Sequence, residues 1–178
     1  PGNVYLGLVH RLDRPVGGIM IFAKTSKAAS RLSDQVREKV FKKKYLAVVD
    51  GKMENKSGTL EDYLYKDERN NISKVVNKGK KNAKFAKLDY DVIKYDEVKN
   101  LSLVKVNLHT GRHHQIRVQL SNFGHSIFGD QKYGTRGQGK QIALWAYELT
   151  INHPITKEEI TFKDLPESVG TWCILRNR

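Results

Sequence analysis

Cysteine is almost missing from this chain: Cys173 stands alone among 178 residues. A single thiol excludes an internal disulfide and any zinc site built on several thiolates, and it suits a reducing, cytoplasmic setting. Long apolar runs are missing as well. No stretch approaches the roughly 18 consecutive apolar residues that a membrane-spanning helix needs, so no membrane partner is expected. Acidic residues are outnumbered, 19 against 32 Lys and Arg, and the formal net charge of +13 points to a polyanionic partner. No segment repeats another. What is present is a hydrophobic content of 39%, enough for one domain with its own core.

Periodicity places the elements. Thr25 and Ser26 can cap a helix, and Ala28, Leu32, Val36 and Val40 recur every four residues, which predicts a helix over 27–41. The apolar run 19–23 predicts a buried strand fed by a turn, and 45–51 reads as a short strand closed by Asp50-Gly51. Residues 52–82 are rich in Asn, Lys, Gly, Ser and Asp, with short strands expected at 59–65 and Ile72–Val76, so this region reads as a long hairpin or excursion between core strands. Alternation predicts strands over 84–94 and 101–109. Ile116, Leu120 and Phe123 predict a helix over 113–123 with Gly124 at its C′ position. Further strands are expected at 142–150 and 159–162, and a final helix or cap within 165–178. Strands outnumber helices, which is an α+β pattern with a mixed, mainly antiparallel sheet. Residues 1–178 read as a single domain.

Two polar clusters stand out. In the first, Asp13 lies among His10, Arg11 and Arg14, followed by Pro15 and the Gly17-Gly18 pair. A turn of this composition presents a carboxylate on a rigid base, as catalysis requires, although taken alone Asp13 reads more readily as a loop carboxylate paired with a neighbouring Arg. In the second, Thr110-Gly111-Arg112-His113-His114-Gln115-Ile116-Arg117 opens a helix. Arg112 and Arg117 cannot both be buried unpaired, because an uncompensated guanidinium costs several kcal/mol, of order 3–5; Asp13 or a phosphate is the natural partner.

Other signals are weaker. His109, His113 and His114 are close in sequence, but a strand-to-loop junction separates them and no acidic or thiol ligand adjoins them, so no metal is expected. Gly134-Thr135-Arg136-Gly137-Gln138-Gly139-Lys140 has the spacing of a phosphate-binding loop. However, Gln141 stands where Ser or Thr would hold magnesium, and a strand follows instead of a helix, which disfavours a nucleotide hydrolase. The lysine runs 42–44 and 78–81 read as solvated faces or as a nucleic-acid surface.

Motifs of this kind have a family counterpart. His10-Arg11-Leu12-Asp13, with Gly17, Gly18, Ala23 and Lys24 behind it, resembles the first signature of the RluA-type pseudouridine synthases. Lys44-Tyr45-Leu46-Ala47-Val48-Val49-Asp50-Gly51 resembles the second. The run from Thr110 to Arg117, continuing through Gly124-His125-Ser126-Ile127-Phe128-Gly129-Asp130 to Tyr133-Gly134, resembles the third. Val16 and His125-Ser126 depart from the commoner patterns, and neither touches the central Asp, Tyr or Arg. The resemblance implies the pseudouridine synthase fold and isomerisation of uridine in ribosomal or transfer RNA, without cofactor or metal. It implies Asp13 as the catalytic carboxylate and Arg117 as its ion-pair partner. Tyr45 would stack on the uracil and assist proton removal from carbon 5, and Arg11 would fill the space of a flipped-out base or hold its phosphate. His10, Arg14, Arg112, His114 and Gln115 become substrate-binding residues, with Ile116 as an apolar wall. It further implies N-terminal strands and an accessory RNA-binding domain that this chain does not contain. A monomer is expected. A catalytically silent RNA-binding module on the same fold is the competing reading, and the intact Asp13, Tyr45 and Arg117 set argues against it.

Overall fold

The computed structural model describes residues 4–137 and 140–176. In chain order the elements are β1 (Gly7–Leu8), β2 (Gly17–Gly18), β3 (Phe22–Ala23), α1 (Ser26–Arg37), β4 (Lys42–Asp50), β5 (Ser57–Asp67), β6 (Ile72–Val76), β7 (Lys84–Asp96), β8 (Leu101–Leu108), α2 (Gln115–Asn122), β9 (Leu144–Asn152), β10 (Glu159–Lys163) and a 3-10 helix (Gly170–Leu175). The fold is α+β. One sheet runs β10-β9-β4-β8-β7-β5-β6, antiparallel throughout, and β2 adds to β9 in parallel. β1 and β3 form a separate small ribbon.

β4 lies at the middle, hydrogen-bonded to β8 on one side and β9 on the other. Tyr45 through Val49 are all buried, as expected of a strand covered on both faces, and their apolar run follows from that position. The main core joins this strand to Leu88, Val104, Val106, Ile116, Leu120 and Ile127. Each such side chain, once fully buried, contributes about 1.5–3 kcal/mol. A second cluster of Ala23, Leu32, Phe41, Leu149 and Ile151 sits under α1. A third, Leu64, Ala86 and Val118, fastens the β5–β6 hairpin to α2.

Several boundaries differ from the sequence reading, each for a local reason. α1 begins as expected, with Thr25 Oγ1 accepting from Ala28 N–H at 3.1 Å, but it stops at Arg37 and not at 41. Lys39 takes a left-handed conformation (φ 61°), and the Lys39 and Val40 N–H groups fold back to Val36 and Gln35. That is a Schellman closure without the glycine that usually marks it, and it turns Phe41 into the second cluster. α2 starts at Gln115 because His114 is itself left-handed (φ 54°). Its far end closes as expected: Gly124 (φ 94°) donates to Ser121 and His125 donates to Leu120. The run 19–23 is not one buried strand. Only Phe22–Ala23 pairs, and Phe22 is exposed, because Gly17–Gly18 has already docked the chain onto β9. The strand expected at 142–150 runs Leu144–Asn152. The strand expected from 45 begins at Lys42, which draws the lysine run 42–44 into the sheet.

Among the described residues no helix is long and apolar enough to cross a membrane.

Candidate active site

The Gly17–Gly18 pair sets the position of Asp13. A Cβ on Gly17 would lie 2.3 Å from the Trp145 ring. One on Gly18, at φ +116°, would lie 2.3 Å from the Ala146 carbonyl oxygen. Only glycine permits this approach, and Ile19 N–H then donates to the Ala146 carbonyl at 2.9 Å. Just before the pair, a turn centred on Arg14 and Pro15 closes through Val16 N–H donating to the Asp13 carbonyl at 2.9 Å. Asp13 therefore projects from a short turn fixed to the central sheet.

The Asp13 carboxylate is gripped from several directions. Arg14 N–H donates to Oδ1 at 2.8 Å. Arg117 Nη1 donates to Oδ2, and His114 Nε2 lies 3.4 Å from the same oxygen. Burial alone would push the Asp13 carboxyl up. The hydrogen bonds and charges of His114 and Arg117 outweigh it and hold the group well below the usual carboxylate range. Asp13 is thus an ionised, oriented carboxylate at neutral pH.

Arg117 is held in turn from behind. Its Nε and Nη2 donate to the two oxygens of Asp130 at 2.7 and 2.6 Å, a bidentate fork. Asp130 is fully buried and also accepts from the N–H groups of Lys132 and Tyr133. Burial would lower the Arg117 pKa, and the hydrogen bonds and charges of Asp130 and Asp13 raise it above its ordinary value. The Tyr133 ring lies 5.2 Å from the guanidinium carbon. The Tyr133 hydroxyl accepts from Ser73 N–H at 2.7 Å and lies 2.7 Å from His114 Nδ1. The contact with Tyr133 holds the imidazole ring with Nε2 facing Asp13. The His113 ring stacks on His114 at 3.7 Å, and burial pushes its pKa down to about 4.

These groups line a cavity of about 670 Å³. Tyr45 and Ile116 are buried in its wall, with Leu12, Val16, Leu108 and Leu144 beside them. Burial pushes the Tyr45 hydroxyl up to about 12, so it stays a neutral phenol near pH 7. Arg11 and Arg14 are exposed at the cavity, and Lys66, Asn71 and Arg112 contribute from the hairpin side and the loop before α2.

Of the catalytic and substrate-binding residues that the resemblance implied, all but His10 border this cavity. His10 is buried elsewhere, edge-on to Phe41 at 5.7 Å, and its Nε2 accepts from Ile21 N–H at 3.1 Å. Burial lowers its pKa to about 4. It braces the chain that follows the Asp13 turn. Gln115 borders the cavity with its amide already engaged: its oxygen accepts from Thr110 Oγ1 and Arg112 N–H, and its nitrogen donates to the Lys87 carbonyl. It shapes the loop before α2. Arg112 Nε donates to the Phe85 carbonyl at 2.8 Å.

Asp130, Tyr133, Lys43 and His113 belong to the cavity or its support and were not among the site residues expected from the sequence. Asp130 had one available signal: a buried Arg117 requires an acidic partner, and the Asp lies within the third motif. His109 sits apart on Asp89, so the three neighbouring histidines do not converge. Of the glycine-rich loop, Gln138 and Gly139 lie outside the described residues. Arg136 pairs with Asp50 at 3.3 Å, and Lys140 lies four residues before β9, so no helix follows the loop.

Residues 1–122 match the family model described as RNA pseudouridylate synthase. The chain belongs to this family. A relative named tRNA pseudouridine synthase C, from Haemophilus influenzae, is 34% identical over 171 residues, covering 86% of this chain and 71% of that protein. An RNA pseudouridine synthase named YhcT, from Bacillus subtilis, is 37% identical over 155 residues, 85% of this chain and 50% of the relative. The chain spans about half the length of most curated relatives it matches. The solved structure of human RNA Pseudouridylate Synthase Domain Containing 1 superposes with a TM-score of 0.83 at 24% identity, covering 94% of this chain and 72% of that one. Asp13, Tyr45 and Arg117, one from each of the three motifs, line the cavity.

Proposed function

We propose that this chain isomerises uridine to pseudouridine in ribosomal or transfer RNA, with Asp13 as the catalytic carboxylate. The observation that carries the reading is the Asp13–Arg117–Asp130 chain of ion pairs at the wall of the cavity. An exposed structural carboxylate needs no buried arginine held by a second, fully buried carboxylate. A reactive one must be ionised, fixed and aimed. Tyr45 offers its ring to the uracil, and Ile116 with Leu12 and Leu144 supplies an apolar surround. In this reading the target uridine leaves its stack and enters the cavity, because enzymes that act on a base take it out of the stack to reach its reacting atoms. Arg11 and Arg14 at the mouth contact the phosphates on either side, which position the RNA without reading its sequence.

The test uses RNA carrying tritium at uracil carbon 5, prepared as separate transfer and ribosomal pools. Tritium release from one pool, with none from either pool by Asp13→Ala, is the expected result, and the releasing pool identifies the substrate class. RNA binding without release from either pool would contradict the reading and favour a binding module on the same fold.

A further inference from the structure

Several cations border the cavity: Arg11 and Arg14 are exposed, Lys66 pairs with Glu68 at 2.5 Å, Arg112 is tied to the Phe85 carbonyl, and Lys43 is part-buried with no carboxylate beside it among the described residues. Lys42, Lys43 and Lys44 are consecutive on β4, and strand alternation sends them to opposite faces. Lys42 pairs with Glu159 at 2.6 Å and Lys44 with Glu148 at 2.6 Å. Lys43 faces the other way and lines the cavity beside Tyr45, two residues on, and Leu108, its partner across the β4–β8 pairing. Among the described residues it forms no ion pair, and its Nζ lies 5.8 Å from the Phe41 ring centroid. Burial pushes its ammonium below the ordinary value. A half-buried, unpaired ammonium is unfavourable in the empty site, and it becomes favourable when an anion forms beside it.

We propose that Lys43 is a catalytic residue that stabilises the uracil anion formed when the glycosidic bond opens. The inference rests on the proposed function. Breaking the bond between ribose C1′ and uracil N1 sends the bonding pair away with the base, leaving a monoanion spread over N1, O2 and O4. Where Asp13 attacks C1′, the new C–O bond consumes the carboxylate's negative charge, and the same charge reappears on the uracil. On rejoining, C5 supplies a pair to C1′ and Asp13 leaves with its own. C5 then loses its proton and N1 gains one, which restores the starting charges. Throughout the anionic stage Arg117 remains neutralised by Asp130 through two hydrogen bonds. Arg11 and Arg14 stand exposed in water, where a charge does less work than in a partly buried wall. Lys66 is neutralised by Glu68 and Arg112 is held by the Phe85 carbonyl, whereas Lys43 is a part-buried cation of that wall without a carboxylate partner among the described residues, on the same strand face as the Tyr45 ring that receives the base. A fixed charge aimed at where negative charge develops acts mainly on the transition state.

Single-turnover tritium release and RNA affinity, measured on the same labelled RNA, test this. Lys43→Met should lower the release rate at saturating protein by about 10²-fold while changing the Kd by less than about threefold. Lys43→Arg should recover most of the rate, and Lys42→Met should behave as the parent. The thermal midpoint of Lys43→Met should equal or exceed the parent's, since an ammonium leaves a half-dry wall. A parental rate in Lys43→Met would overturn the inference. So would a weakened Kd with an unchanged rate at saturation, which would make Lys43 a phosphate contact. In both cases the parent still releases tritium and the proposed function stands. A parent that releases none contradicts that function, and this inference with it.

Discussion

Asp130 is the residue on which the Arg117 geometry rests. Its fork holds Nε and Nη2, so that Nη1 alone is left to reach Asp13. Removing one partner of a buried ion pair leaves an uncompensated charge and costs about 3–5 kcal/mol. Asp130→Ala should therefore lower the unfolding free energy in urea by about that amount. Among molecules that remain folded, tritium release should fall further than RNA affinity, because the loss is one of aim. A variant that unfolds like the parent would show that Arg117 finds another partner. Tyr133 acts at the same scale through His114: its hydroxyl, placed by Ser73 N–H, holds the imidazole ring with Nε2 toward Asp13.

At the scale of elements, the site is a junction of three pieces: the Asp13 turn, the β4 strand and the start of α2. The turn is the least supported by packing and the most dependent on backbone fit. Gly18 is its critical position, since an added Cβ would meet the Ala146 backbone, which cannot move aside as a side chain can. Gly18→Ala should shift the turn and lower tritium release by about 10²-fold, the effect expected of a displacement near 1 Å at a reacting group. Gly17→Ala should be milder, because the atom it meets belongs to the Trp145 side chain. Equal, parental release from both variants would mean that the β2–β9 contact does not position Asp13. The elements themselves were largely legible. β6 matches its expected bounds, and β5, β7, β8 and β10 fall within a few residues, because alternation and buried runs leave a direct trace in the sequence. The helix ends were less so: Lys39 and His114 adopt left-handed conformations that residue type does not announce. The break at 19–23 depends on β9, a strand more than a hundred residues away.

The whole molecule combines a dense apolar centre with a basic exterior, and its formal charge of +13 bears on association more than on fold. RNA affinity should fall steeply with salt, as log K against log salt with a slope near minus one for each phosphate neutralised. A flat dependence between 50 and 200 mM salt, roughly the range over which such contacts lose affinity, would mean that charge does not drive binding. The charge was legible from composition, and so was its sign as a clue to the partner. Its allocation was not. Lys42 and Lys44 are tied to glutamates while Lys43 enters the cavity, a division that only the pairing of β4 with β9, and of β9 with β10, reveals. The motifs singled out Asp13, Tyr45 and Arg117, whereas Asp130 and Tyr133 stand in the third motif with no sign of their own that they brace Arg117 and His114, since neither has a periodic or charge signature.

The central claim is that Asp13 is the reacting carboxylate and that its neighbours aim it. Asp13→Asn tests it most directly, since the amide keeps the shape of the side chain and loses its charge. Single-turnover tritium release should fall by about 10³-fold or more, with RNA affinity close to the parent's. Release within about tenfold of the parent, on the same scale, would contradict the account and return Asp13 to the role of a loop carboxylate paired with Arg117.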